Sequence, residues 1–293
     1  MLRILIVAIL IAVGSISFGQ EPADTNYDET KVPFYELPSI LVDSSGKRVG
    51  RDDWELYRRT EVQRLFENSV YGRTPNRKLA VRYEVIDNDR KALDGRATRK
   101  QIAAFFGEDE YRLDILLYIP NAPQKPVAGF VGLNFIGNHS VHSDPALIKR
   151  KGKEKDRGAN ASRWQVEMLI DHGYALATVH RDQIDPDNYR NDFTDGIHPL
   201  FYGDGQTKPE PTEWGSIGAW AWGLSRVLDY LETDRRVDAT RIAVIGHSRL
   251  GKTALWAGAQ DTRFALVVSN NSGCGGAALY RRCYGERLHH MIK

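Results

Sequence analysis

Residues 245–253, Ile245-Gly246-His247-Ser248-Arg249-Leu250-Gly251-Lys252-Thr253, concentrate the chemistry of this 293-residue chain. They lie between an apolar run of strand character at 241–245 and a run of helical period at 249–259. Two active readings fit. Gly246, Gly251, Lys252 and Thr253 satisfy G-x-x-x-x-G-K-[ST], in which backbone amides cradle phosphates and the lysine reaches the terminal ones. Against it, the next strand ends in Ser269-Asn270-Asn271 instead of an acid that would hold magnesium. The second reading is a sharp strand-to-helix turn that lifts the Ser248 hydroxyl above a sheet as a nucleophile, with the next amide facing an oxyanion. Such a turn crowds side chains against backbone, so glycine is expected two residues either side of the serine. Gly246 meets the first position; Leu250 holds the second and Gly251 follows one later. A third, inert reading has Ser248 only capping the helix.

The histidines do not complete a site. His247 flanks the serine but points elsewhere in a turn of this kind. His139 and His142 suggest a metal pair but lack a third ligand, so neither a metal nor a cofactor is expected. Only His289 and His290 follow Ser248, and they read as ordinary helical residues instead of a general base.

The elements that would position Ser248 follow from periodicity. Residues 52–67 repeat apolar side chains at helical spacing and stop at Tyr71-Gly72. Strands are expected at 81–86, 113–119, 127–135, 174–179, 241–245 and 264–268, with a polar, Lys/Arg-rich connection between the first two. Helices are expected at 161–171, 216–231 and 249–259, the second carrying Trp220 and Trp222 as core residues. From residue 127 onward helices and strands alternate, which implies an α/β fold: a mostly parallel sheet covered on both faces.

Composition bounds the rest. Hydrophobic residues at 42% and charged residues at 27% are close to the globular norm and supply a sizeable core. Forty basic against 38 acidic residues leave +2, so no single-sign field marks a nucleic-acid partner. Arg3, the apolar run 4–13 and Ser17-Phe18-Gly19 read as a signal peptide over 1–19, implying a secreted or periplasmic protein with no membrane span in the mature chain. Residues 20–75 read as an N-terminal leader with a short helix and 76–293 as one partial α/β domain. Export permits a disulfide, but whether Cys274 and Cys283 pair stays open.

The run Gly246 to Lys252, with Ala257-Gly258-Ala259 and Asn270-Asn271-Ser272-Gly273-Cys274-Gly275-Gly276, resembles the glucuronoyl esterases of carbohydrate esterase family 15, particularly the bacterial branch, whose hallmark is G-x-S-R-x-G-K. The similarity continues upstream through Gly132 to His139, residues 157–163 and Trp214 to Trp220. The resemblance implies an α/β-hydrolase fold and hydrolysis of esters of (4-O-methyl)glucuronic acid side groups of xylan, including lignin–carbohydrate esters. By position it implies Ser248 as nucleophile, Arg249 contributing its amide and guanidinium to the oxyanion, and Lys252 facing the sugar hydroxyls. Two departures accompany it. The acid of fungal members falls on neutral Asn271, and the family's histidine comes after further strands, so the chain is expected to stop before its acid and base and to have little activity as given. An acetylxylan or other carbohydrate esterase and a non-catalytic polysaccharide-binding protein are the alternatives.

Overall fold

The computed structural model describes residues 24–108, 111–149, 156–188 and 193–287. The proposed signal peptide at 1–19, and His289 and His290, lie outside the described residues. Seven strands form one sheet: β1 (Val81–Ala92), β2 (Ala97–Phe106), β3 (Tyr111–Pro120), β4 (Val127–Asn134), β5 (Ala175–His180), β6 (Val237–His247) and β7 (Leu266–Asn270), in the spatial order β1-β2-β3-β5-β4-β6-β7. Pairing is antiparallel from β1 through β3 to β5 and parallel across β5, β4, β6 and β7. The expected mostly parallel sheet is thus present, extended by an antiparallel flank.

Strand alternation decides which side chains meet which helices. On β3, Ile115, Leu117 and Ile119 face the larger apolar cluster, while Leu116 and Tyr118 face the smaller one. The helical stretch after β4 covers the smaller face. It comprises α3 (Ala161–Trp164) and α4 (Val166–Asp171), separated by Gln165 in a left-handed conformation at φ 34°. The sequence reads this stretch as one helix; the residue between the two halves is the difference. The other face is covered by α5 (Ser216–Leu231), where Trp220 is fully buried, and by α6 (Arg249–Gln260).

Upstream, α1 (Arg51–Asp53), a π-helical stretch Trp54–Arg58, α2 (Arg59–Phe66) and a second π-helical stretch Glu67–Tyr71 run continuously to Gly72, whose φ of 77° ends them. Tyr71 tilts against Trp256 of α6 with 4.8 Å between ring centroids, so the leader's helix packs on the core. No helix among the described residues is long and apolar enough to cross a membrane. Cys274 is buried, Cys283 half-buried, and the two are not bonded to each other.

The polar connection expected between the first two strands contains a whole strand, β2. Its Arg99 and Gln101 are buried yet polar, which conceals the strand from a hydrophobicity pattern. Arg99 Nε donates to Asp87 Oδ2 at 2.9 Å and Nη1 to Asp144 Oδ2 at 2.5 Å, so the buried charge is compensated.

Candidate active site

β6 ends at His247 and α6 begins at Arg249, leaving Ser248 alone between strand and helix. One residue can make so abrupt a reversal only in an unusual conformation: Ser248 has φ 57° and ψ −125°. A non-glycine residue held there is strained, and such strain concentrates at functional sites. Gly246 is required by the same geometry, since a Cβ at this position would lie 1.9 Å from the Leu250 carbonyl oxygen. Gly251, the displaced second glycine, packs instead against β7, where a Cβ would lie 2.9 Å from the Asn270 carbonyl oxygen. The turn is tied to β7 by the Ser248 N–H, which donates to the Asn270 carbonyl at 3.0 Å, and by Ser269 Oγ, which donates to the Gly251 carbonyl at 3.0 Å.

This arrangement counts against two of the three readings. A phosphate cradle needs several loop residues between strand and helix, and a single residue cannot wrap a phosphate. The helix-capping role also fails, because the Ser248 side chain makes no capping hydrogen bond. The hydroxyl is half-exposed and, among the described residues, has no hydrogen-bond partner. The Arg249 N–H heads α6, where first-turn N–H groups have no intrahelical acceptor and the helix end carries partial positive charge.

Position in the sheet agrees. Helices from β4 and β6 leave to opposite faces, so the crevice at the carboxyl ends of these neighbouring strands is a topological switch point, where open α/β sheets bind ligands. Across it, the loop after β4 is held by Asn134, whose Oδ1 accepts the Gly137 N–H at 2.7 Å and whose Nδ2 donates to Asn138 Oδ1 at 2.7 Å. In folds with a serine turn of this kind that loop supplies the second oxyanion amide.

The expected site residues are placed unequally. Arg249 is exposed, and its guanidinium is paired with the carboxylate of Asp187. Asp187 also lies 3.5 Å from Arg181 Nη1, and Arg181 in turn sits over the Trp220 ring at 5.1 Å. Burial raises the Asp187 carboxyl above its ordinary range, against the downward pull of Arg249 and Arg181. Its backbone is anchored by Asp185 Oδ1, which accepts the Asp187 N–H at 2.7 Å; Asp185 itself lies 2.9 Å from His198 Nε2, and both are buried. Lys252 is only 5% exposed, covered instead of open on the surface, and burial lowers its amine below the usual lysine range. His247 is exposed and turned to Asn270, with 3.3 Å between Nδ1 and Nδ2. His142 is engaged on both ring nitrogens, by the Asp144 N–H at 3.1 Å and by Glu167 at 3.3 Å, and His139 is buried. No group of three or more metal-ligating side chains occurs among the described residues. Asn271 is exposed with φ 46°.

Asp187 was not singled out by the sequence reading. The available signal was a run of acids, Asp182, Asp185 and Asp187, directly after a strand that belongs to the parallel part of the sheet.

Known proteins share this construction. The family model described as glucuronyl esterase, fungi, matches residues 152–290. A carbohydrate esterase, MZ0003, from an unknown prokaryotic organism is 45% identical over 289 residues, covering 92% of this chain and 66% of that one. The solved glucuronoyl esterase from Solibacter usitatus is 48% identical and superposes with a TM-score of 0.82, covering 87% of this chain and 68% of its own. A promiscuous CE15 esterase from a marine bacterial metagenome is 44% identical with a TM-score of 0.81, over 91% of this chain and 70% of that one. The chain therefore spans about two thirds of the length of these relatives, from 66% to 70%. With that likeness running through the serine turn and the whole sheet around it, the chain belongs to carbohydrate esterase family 15, the glucuronoyl esterases.

Proposed function

We propose that the protein is a secreted or periplasmic serine esterase that cleaves esters of (4-O-methyl)glucuronic acid side groups of xylan, including those to lignin alcohols. The observation that carries this reading is the strained single-residue turn at Ser248, with a half-exposed hydroxyl at the sheet's switch point. Ser248 Oγ attacks the ester carbonyl, and the carbonyl oxygen becomes an oxyanion in front of the α6 N-terminus. The Arg249 N–H and an amide of the loop after β4 stabilise that charge, each preorganised donor being worth about 3 kcal/mol of barrier. The Arg249 guanidinium adds positive charge from the Asp187 side, and the Lys252 amine borders the sugar from beneath. Collapse of the tetrahedral intermediate expels the alcohol and leaves a glucuronoyl-serine ester, which water hydrolyses.

Ser248 needs a base within about 3 Å to take its proton. None of the described residues holds that position, so the proposal places the base outside them.

The test compares a methyl glucuronate ester with an acetylated xylan, using Ser248→Ala as control. Ser248-dependent release of methanol in excess of acetate supports the reading. Preferential release of acetate replaces it with an acetylxylan esterase, and xylan affinity that survives Ser248→Ala without hydrolysis of either ester replaces it with a binding protein.

A further inference from the structure

The end of the sheet opposite Ser248 carries a groove of about 530 Å3, within the size range of sites that take small ligands. It is formed where β1 ends, β2 begins, β3 passes into β4, and the chain enters β6. Arg236 immediately precedes β6 and Ser248 immediately follows it, so the two stand at opposite ends of that strand. The groove is therefore separate from the candidate active site.

Its walls carry five cations, Arg90, Lys100, Lys125, Arg235 and Arg236, and no carboxylate lines it. Lys100 is neutralised from behind by Asp234 at 2.5 Å. Among the described residues no carboxylate pairs with the side chains of Arg90, Lys125, Arg235 or Arg236. Arg236 is nevertheless built into the fold. Its Nη1 donates to Thr98 Oγ1 at 2.6 Å, and its Nη2 donates to the Pro120 carbonyl at 2.8 Å and Asn121 Oδ1 at 3.1 Å. The half-buried guanidinium is thus oriented by three neutral acceptors, and Arg90, Lys125 and Arg235 line the same concave surface. In a chain with a formal net charge of only +2 this is a local excess, and a cleft concentrates its field.

We propose that this groove is a second binding site, for a polysaccharide segment bearing free carboxylates. The choice of polymer rests on the proposed function, because hydrolysis of a glucuronate ester leaves a carboxylate on the xylan chain. A site of this charge at the far end of the strands holds the protein on de-esterified, acidic stretches while Ser248 works on neighbouring esterified ones.

The test uses the full chain carrying Ser248→Ala, titrated calorimetrically with de-esterified glucuronoxylan, with neutral arabinoxylan and with sodium sulfate. A second form adds Arg90→Gln, Lys125→Gln and Arg235→Gln, all at exposed positions that leave the core untouched. The acidic polymer is expected to bind, to weaken about tenfold in the triple variant and to weaken with salt, while the neutral polymer does not bind through the groove. Equal binding of both polymers, an unchanged affinity in the triple variant, or binding of sulfate without the polymer overturns the proposal. Glucuronate-ester hydrolysis by the Ser248 form is measured separately. Groove binding without hydrolysis refutes only the esterase reading, and hydrolysis without groove binding refutes only the groove.

Discussion

The carboxylate of Asp187, on the loop after β5, holds the guanidinium of Arg249, the residue that follows the serine at the turn. Two segments far apart in sequence thereby fix the guanidinium that the proposed mechanism sets beside the oxyanion. Burial keeps the Asp187 carboxyl above its ordinary range, so the protonated form favours the native state. That contribution is complete below the ordinary aspartate range and is lost as pH rises through the raised native value. Asp187→Asn, neutral at every pH, is expected to match or exceed the wild-type melting temperature at pH 7, by a margin that disappears in acid. The same change frees Arg249 and lowers kcat/KM about tenfold. A melting profile against pH, together with kinetics, checks both halves; an equal loss of stability at all pH values would make Asp187 merely structural.

The two glycines of the turn are not equivalent. A methyl group on Gly246 meets the Leu250 carbonyl oxygen at 1.9 Å and its carbon at 2.3 Å, backbone atoms that cannot give way without unwinding the first turn of α6. On Gly251 the contacts are 2.9 Å to the Asn270 carbonyl oxygen and 3.1 Å to Ser272 Cβ. Gly246→Ala is therefore expected to cost about 3 kcal/mol and Gly251→Ala about 1 kcal/mol, read from urea midpoints. The reverse order would contradict the turn as described.

Strain at Ser248 has its own signature. Glycine accepts φ 57° without the steric penalty a Cβ brings, and the serine side chain contributes no cap that its removal would forfeit. Ser248→Gly is expected to raise stability over the wild type by about 1 kcal/mol while abolishing hydrolysis, and Ser248→Ala to leave stability within about 0.5 kcal/mol. A capping serine would behave otherwise, with both variants less stable than the parent. Differential scanning calorimetry of the three proteins separates the cases.

Much of this architecture was readable from residue pattern because local and global preferences agree. The expected helix at 216–231 is α5 residue for residue, and the helix after the serine differs from α6 by one position. The strand-to-helix turn at Ser248 was legible because it constrains Gly246 on the same strand. What stayed hidden depends on long-range pairing. Asp187 gains its meaning only when the sheet brings the carboxyl ends of β5 and β6 to one side, and the groove only when four chain segments meet at the opposite strand ends. Strand β2 was hidden for a related reason: its polar residues are buried against partners remote in sequence.

Arg99 shows the cost of that concealment. Its side chain is 4% exposed and is held by Asp87, by Asp144 and, at 3.6 Å, by Asp89. Burial alone would raise the Asp87 and Asp144 carboxyls, yet the hydrogen bonds they receive, Arg99 foremost among the shared donors, leave both below the usual range. Carboxylates lowered in this way stabilise the native state above the ordinary aspartate range, and the contribution is lost as pH falls through their native values. Arg99→Met keeps the apolar stem but strands partly buried carboxylates without a cation, which is expected to cost about 3 kcal/mol at pH 7. That deficit should shrink in acid, because the wild type itself loses the same contribution as pH falls through the native values of Asp87 and Asp144. Urea unfolding followed by circular dichroism at a series of pH values measures the deficit. A deficit that stayed the same from pH 7 into acid would show that the loss is one of packing, and that β2 is held in the sheet without its buried charge.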